Sequence, residues 1–136
     1  MGNLPTFIVF EDGDKINFID VNNVLVGYDL SCSCCENANW FISDKVIEKW
    51  PEKEEQDKNL DGFLFDKEFF MEISSIPSED GYDHLGDGGM VVFKLINTCG
   101  DIVKEKYLHL YNCQNGYYSH GFKMNVGDEN IRCGSI

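Results

Sequence analysis

Gly89 to Val126 reads GMVVFKLINTCGDIVKEKYLHLYNCQNGYYSHGFKMNV, and this stretch decides the fold class. Two runs, Met90 to Asn97 and Ile102 to Asn112, are rich in Val, Ile, Leu, Phe and Tyr. Such residues suit a pleated, half-buried surface. Thr98-Cys99-Gly100-Asp101 between them is turn chemistry. Tyr117 to Val126 then follows Asn115-Gly116, a strong short-range hairpin signal. The expectation is a three-stranded antiparallel meander, about the smallest sheet that holds a hydrophobic face.

Working back from the meander, Thr6 to Phe10 and Lys15 to Ile19 flank Glu11-Asp12-Gly13-Asp14, a hairpin with a D-G turn. Val24 to Leu30 reads as a further strand, as does Asn39 to Ser43. Ser43 can cap a short helix over Asp44 to Trp50, stopped by Pro51. Glu52 to Asn59, EKEEQDKN, reads as a solvated, charged connector. Phe63 to Ile73 alternates imperfectly and reads as one bent strand or two short ones, with a helix as the alternative. The fold class expected is therefore α+β, mostly antiparallel sheet with one short helix. It fills one domain over 1–136: N-terminal strands in 1–30, a Cys-rich loop at 31–36, the helix and connector over 44–61, the meander over 89–126 and a loose tail over 127–136.

Length and composition support a packed core, since a chain of 136 residues buries roughly 68% of its unfolded surface. The net charge is −13, and the acid lies in the first two thirds. Residues 62–87 carry seven acids against one base, whereas 88–136 carry four acids against five bases. This field disfavours nucleic-acid backbones and anionic membranes, which need Lys and Arg. It suits a partner with a basic surface, a cation, or solubility alone. No apolar run approaches the length of a membrane span. No basic segment leads into an apolar one at the N-terminus, so no secretory signal is expected. Met1-Gly2 with Thr6 fits the short myristoylation pattern. Six cysteines without a secretory signal read as reduced thiols in a cytoplasm.

Three places could carry chemistry. Ser31 to Glu36, SCSCCE, holds three thiols within four residues. Thiolates bind zinc, but a second C-x₂₋₄-C knuckle is missing and His84, His109 and His120 are not at ligand spacing. A catalytic Cys34 or Cys35 would need a histidine or helix N-terminus beside it. Against both stands passive packing of small apolar thiols. The second place is Asn115 to Phe122, where His120 shares a face with Tyr118 and Phe122; a histidine so placed serves structure more often than catalysis. The third is Glu79 to Asp87, whose Asp80, Asp83 and Asp87 miss the spacing of a calcium loop. No catalytic residue, metal or cofactor is assigned, and the chain reads as a binder rather than an enzyme.

Cys34-Cys35-Glu36, the strand and hairpin from Val92-Phe93-Lys94-Leu95 to Tyr107, and Asn115-Gly116-Tyr117-Tyr118-Ser119 together resemble a family of small acidic proteins encoded mainly by bacteriophages and their hosts, a domain of unknown function. The resemblance spans Val24 to Val126; Cys32 and the EKEEQDKN connector have no counterpart in the pattern. It implies a setting and no mechanism. The positions it marks are Cys34, Cys35, Glu36, Tyr117, Tyr118 and Ser119, with His120 adjoining. Two functions follow as expectations. One is an acidic, non-enzymatic inhibitor of phage or mobile-element origin in the host cytoplasm, blocking a host factor in the manner of an anti-defence or immunity protein. The other is a small-molecule or metal site between the CCE loop and the NGYYS strand.

Overall fold

The structure, a computed structural model, describes residues 6–31, 36–77, 81–83, 85, 86, 88–114 and 119–136; the side chains of Glu36 and Gln114 lie outside that description. Nine strands make up its regular structure: β1 (Ile8–Asp12), β2 (Lys15–Ile19), β3 (Val24–Asp29), β4 (Glu36–Ser43), β5 (Leu64–Ile73), β6 (Gly89–Asn97), β7 (Lys104–Gln114), β8 (Gly121–Val126) and β9 (Glu129–Ser135). They form two antiparallel sheets, ordered β1-β2-β3-β8-β9 and β4-β7-β6-β5. The class is all-β, which corrects the α+β expectation.

The two sheets share one core. Ile16, Phe18, Val26, Tyr28, Phe122 and Met124 of the five-stranded sheet meet Trp40, Val91, Phe93, Leu95, Leu108 and Leu110 of the other. Phe18 sets its edge on Trp40 with centroids 5.0 Å apart, a favoured aromatic geometry. The four-stranded sheet is buried on its far side too, where Phe41, Met90, Val92 and Tyr111 lie under Ile76, Leu85, Val46, Ile47 and Trp50. A strand buried on both faces reads as a continuous apolar run, and that is why β6 lacks alternation.

This second cluster overturns the helix. Asp44 to Trp50 is irregular. Val46, Ile47 and Trp50 cover the sheet, and the backbone donors find tertiary acceptors: Ile47 N–H gives to His109 Nε2 at 3.4 Å and Trp50 N–H to Pro77 O at 3.0 Å. A helix this short is marginal in water, so tertiary packing prevails.

The meander is also corrected. β6 and β7 pair as expected, but β7 already has β4 on its other side. The next strand, β8, crosses to the five-stranded sheet and pairs with β3 and β9. Asn115-Gly116 lies outside the described residues. The expected tail is strand β9, polar because an edge strand needs little burial. The bent strand holds: along β5 the pairing moves from Asp66↔Lys94 to Met71↔Val92. Five steps on β5 span two on β6, and the odd excess swaps faces. Phe65 therefore points to the shared core and Phe69 to the outer cluster.

The charged connector is a loop that lies along β4. Ile42 N–H donates to Glu55 O at 2.7 Å, and Gln56 Nε2 donates to Trp40 O at 2.9 Å. It thereby covers an edge that would otherwise be open to pairing.

His109 is buried on the outer face of the four-stranded sheet, beside Ile47. It stacks on Phe41 at 4.4 Å, and its Nδ1–H donates to Tyr107 O at 3.1 Å. Burial pushes its pKa down from the ordinary 6.5 to about 4, although hydrogen bonds from the ring to Tyr107 and Phe41 oppose the shift. Below its ordinary pKa the unfolded chain takes up a proton that the folded ring refuses, so stability falls as pH drops from 6.5 towards 4. Between about pH 8 and about pH 5.5 this ring alone is expected to remove about 1.4 kcal/mol. Urea unfolding of the protein and of His109→Gln at both pH values checks it: the acid loss shrinks in the variant. An unchanged loss would place the titration elsewhere.

Candidate functional site at the paired crossovers

Two crossings join the sheets at one end of the sandwich. β3 ends at Asp29 and β4 begins at Glu36; β7 ends at Gln114 and β8 begins at Gly121. Tyr28 pairs with Phe122 on one sheet, and Glu36 pairs with Gln114 on the other. Strand pairing thus brackets both crossings together. Cys34 and Cys35 belong to the first, Tyr117 and Tyr118 to the second, and all four lie outside the described residues. Glu36 is placed by its backbone at the start of β4. Ser119 is exposed and His120 is buried beside it.

His120 fastens the two crossings. Its Nδ1–H donates to Asp29 O at 2.7 Å, since a carbonyl can only accept. Its main chain exchanges bonds with Ile136: N–H to Ile136 O at 2.7 Å, and Ile136 N–H back at 2.9 Å. Asn112 Nδ2 donates to Ile136 O at 3.0 Å. These are structural links, so His120 acts as an anchor at this end. The Asp29 carboxylate accepts Ser31 N–H at 2.8 Å. Burial raises its pKa, but the hydrogen bonds from Ser31 and the charges of His120 and Lys15 outweigh burial and hold it below the usual value.

Beside Asp29, on the solvent face of the five-stranded sheet, is a shallow cup of 250 Å³. It is lined by Gly27 and Gly121 together with the polar Lys15, Asn17, Asp29 and Lys123. A methyl group at Gly27 would stand 3.0 Å from Asn17 Oδ1 and 3.4 Å from Lys123 Cε, so any side chain there starts to fill the cup. Neither lysine nor either glycine was marked by motif reasoning. They come from the local β2–β3 hairpin and from β8, which the crossing topology sets beside β3. A larger hollow of 440 Å³ is lined by the end of β4, Lys45, Pro51 and the connector, with Lys106 and Asp57, an ion pair at 3.3 Å, in its wall.

Other reactive groups are occupied with structure. Tyr111 Oη–H shares its proton between both Glu54 oxygens at 2.9 Å, and burial with this carboxylate raises its pKa. Cys113 is pushed up to about 12 by burial, then by the charges of Glu54 and Asp83. At about pH 8 only about one part in ten thousand is thiolate. Iodoacetamide is therefore expected to modify exposed Cys99 and Cys133 long before Cys113. Peptide mapping of a timed reaction checks this, and early labelling of Cys113 would contradict it. Asp83 Oδ1 accepts Ile76 N–H and Leu85 N–H, each at 3.1 Å, and so shapes its turn. Asp80, Asp87, Glu79 and His84 lie outside the described residues. Among the described residues, no three His, Cys, Asp or Glu side chains are grouped to hold a metal ion, and no helix is long and apolar enough to cross a membrane.

No family model, curated protein or solved structure matches this chain. The site is therefore read from its own geometry.

Proposed function

We propose that this chain is a non-enzymatic binding protein that blocks a partner with a basic surface. The inhibitor role, the phage or mobile-element setting and the host cytoplasm belong to the same proposal. One observation carries it. The chain has 24 acids against 11 lysines and arginines, a net charge of −13, so even complete pairing leaves an excess of negative charge that no lysine or arginine of the chain can neutralise. A surface of that kind speeds encounter with a basic partner and weakens as salt screens it. The test presents the immobilised protein with a panel of folded basic and acidic proteins at about 50 mM and about 300 mM salt. Binding confined to basic members and falling steeply with salt is expected. Binding indifferent to salt, or to acidic members, overturns the reading.

The bracketing of the two crossings favours a second reading, a small-ligand site at that end. Native mass spectrometry of protein purified without chelator tests it. An added mass that disappears on denaturation supports a ligand, and a bare mass removes the support.

A further inference from the structure

Four strands form the edges of the two sheets, and three of them are blunted. The connector covers β4. β5 bulges across Asp66 to Met71, where it carries Asp66, Lys67 and Glu68. β9 bulges at Ile131, where pairing steps from Met124↔Arg132 to Asn125↔Asn130. These are ordinary defences against strand addition. Among the described residues, β1 has neither a bulge nor a covering segment, and its charges are confined to one end. It is the first strand of its sheet and keeps regular register with β2 from Ile8↔Ile19 to Asp12↔Lys15.

The backbone of β1 is set for a further strand. Asp12↔Lys15 closes a two-residue hairpin, so the N–H and C=O groups of Asp12, Phe10 and Ile8 point to β2. Those of Val9 and Glu11 turn to the open edge. The same alternation turns the Phe7 N–H outward, and Asp61 Oδ1 takes it at 2.9 Å, which ends the edge on that side. The side chains complete the surface. Ile8 and Phe10 are 49% and 40% exposed, and Val9 packs inward to hold the strand. Glu11, Asp12 and Asp14 stand exposed at its end.

We propose that β1 is a docking edge for an extended segment of the partner, whose apolar side chains lie along Ile8 and Phe10 and whose basic side chains meet Glu11, Asp12 and Asp14. This rests on the basic-partner reading and names its surface. Main-chain bonds would supply affinity and the alternate side chains selectivity. A second copy is disfavoured, because it brings another −13 and its own Glu11 and Asp12.

The test uses a synthetic peptide alternating Lys with Val, and the same peptide with Glu for Lys, against the full chain, read by amide shifts and hydrogen exchange. The Lys peptide is expected to bind and to slow exchange at Val9 and Glu11, and the Glu peptide is not. Phe10→Lys and Glu11→Pro are each expected to weaken binding at least about tenfold. Pro is tolerated where the N–H faces away from the ladder, so the variants are first checked for native circular dichroism. Ile102→Lys, in the exposed β6–β7 turn, is expected to bind as the parent does. Salt-sensitive binding with protection elsewhere, or with both β1 variants unaffected, overturns the docking edge and leaves the basic-partner reading standing. No binding of the Lys peptide at about 1 mM overturns the edge, while the folded-protein panel still tests the broader reading. Protection of β1 that grows with protein concentration alone assigns the edge to a second copy and overturns the proposal.

Discussion

Gly88→Ala is expected to destabilise the protein by roughly 3 kcal/mol or more, a large share of the total for a domain of this size. Gly88 leads into β6 where the chain crosses close over β7. Its N–H donates to Leu85 O at 2.9 Å, and Gly89 pairs with Asn112. A methyl group at Gly88 would overlap the Asn112 carbonyl oxygen, with its carbon at 2.7 Å and Leu85 O at 3.0 Å. All three obstacles are backbone, and Asn112 is held in the ladder on both sides. Nothing nearby can turn aside as a side chain would. Gly100→Ala is the control, because its methyl would meet only Ile102 O at 3.9 Å. Urea midpoints by circular dichroism should differ widely between the two variants. Equal midpoints would show that the crossing over Asn112 is not as close as described.

Asp20→Ala is expected to cost roughly 3–5 kcal/mol, from three backbone donors stripped of their acceptor. Asp20 is buried. One carboxylate oxygen accepts Asn22 N–H and Val24 N–H, each at 2.9 Å, and closes the β2–β3 turn. The other accepts Phe65 N–H at 2.9 Å, in the opposite sheet. The side chain therefore both shapes a turn and ties the sheets together. Asp20→Asn keeps one accepting oxygen but aims an amide N–H₂ at a donor, so it should fall between the parent and Asp20→Ala. Thermal or urea unfolding of the series checks the order. If Asp20→Asn matched the parent, the bond across the sheets would contribute little.

Much of this was legible in the sequence, and the failures have physical causes. Local signals were sound where strands are local: the β1–β2 hairpin, the β6–β7 hairpin and the bend in β5 all appear, although the first turns at Gly13-Asp14 and not at Asp12-Gly13. Val46, Ile47 and Trp50 carry helical spacing, yet they serve as a lid on a sheet whose outer face no local pattern announces. β8 looked like the third strand of a meander because Asn-Gly suggests a hairpin, while the place beside β7 was already held by β4 from far earlier in the chain. β9 looked like a tail because Glu129, Asn130 and Arg132 are polar. At the candidate site, the positions marked by motif split: Ser119 and His120 are placed by the structure, Glu36 by its backbone alone, and Cys34, Cys35, Tyr117 and Tyr118 lie outside the description. Lys15 and Asp29 are partners in the local β2–β3 hairpin and carried no motif, while Lys123 joins them only through the threading of β8 beside β3.

The pairing of β3 with β8 also governs how the molecule can assemble. Val24 meets Val126, so this ladder closes a loop of about three quarters of the chain, and its entropy is lost before the contacts can repay it. During synthesis β3 emerges well before its partner, and it waits with a bare apolar flank until residues 121–126 leave the ribosome. Folding should accordingly be slow. The nascent chain is most prone to aggregate in that interval.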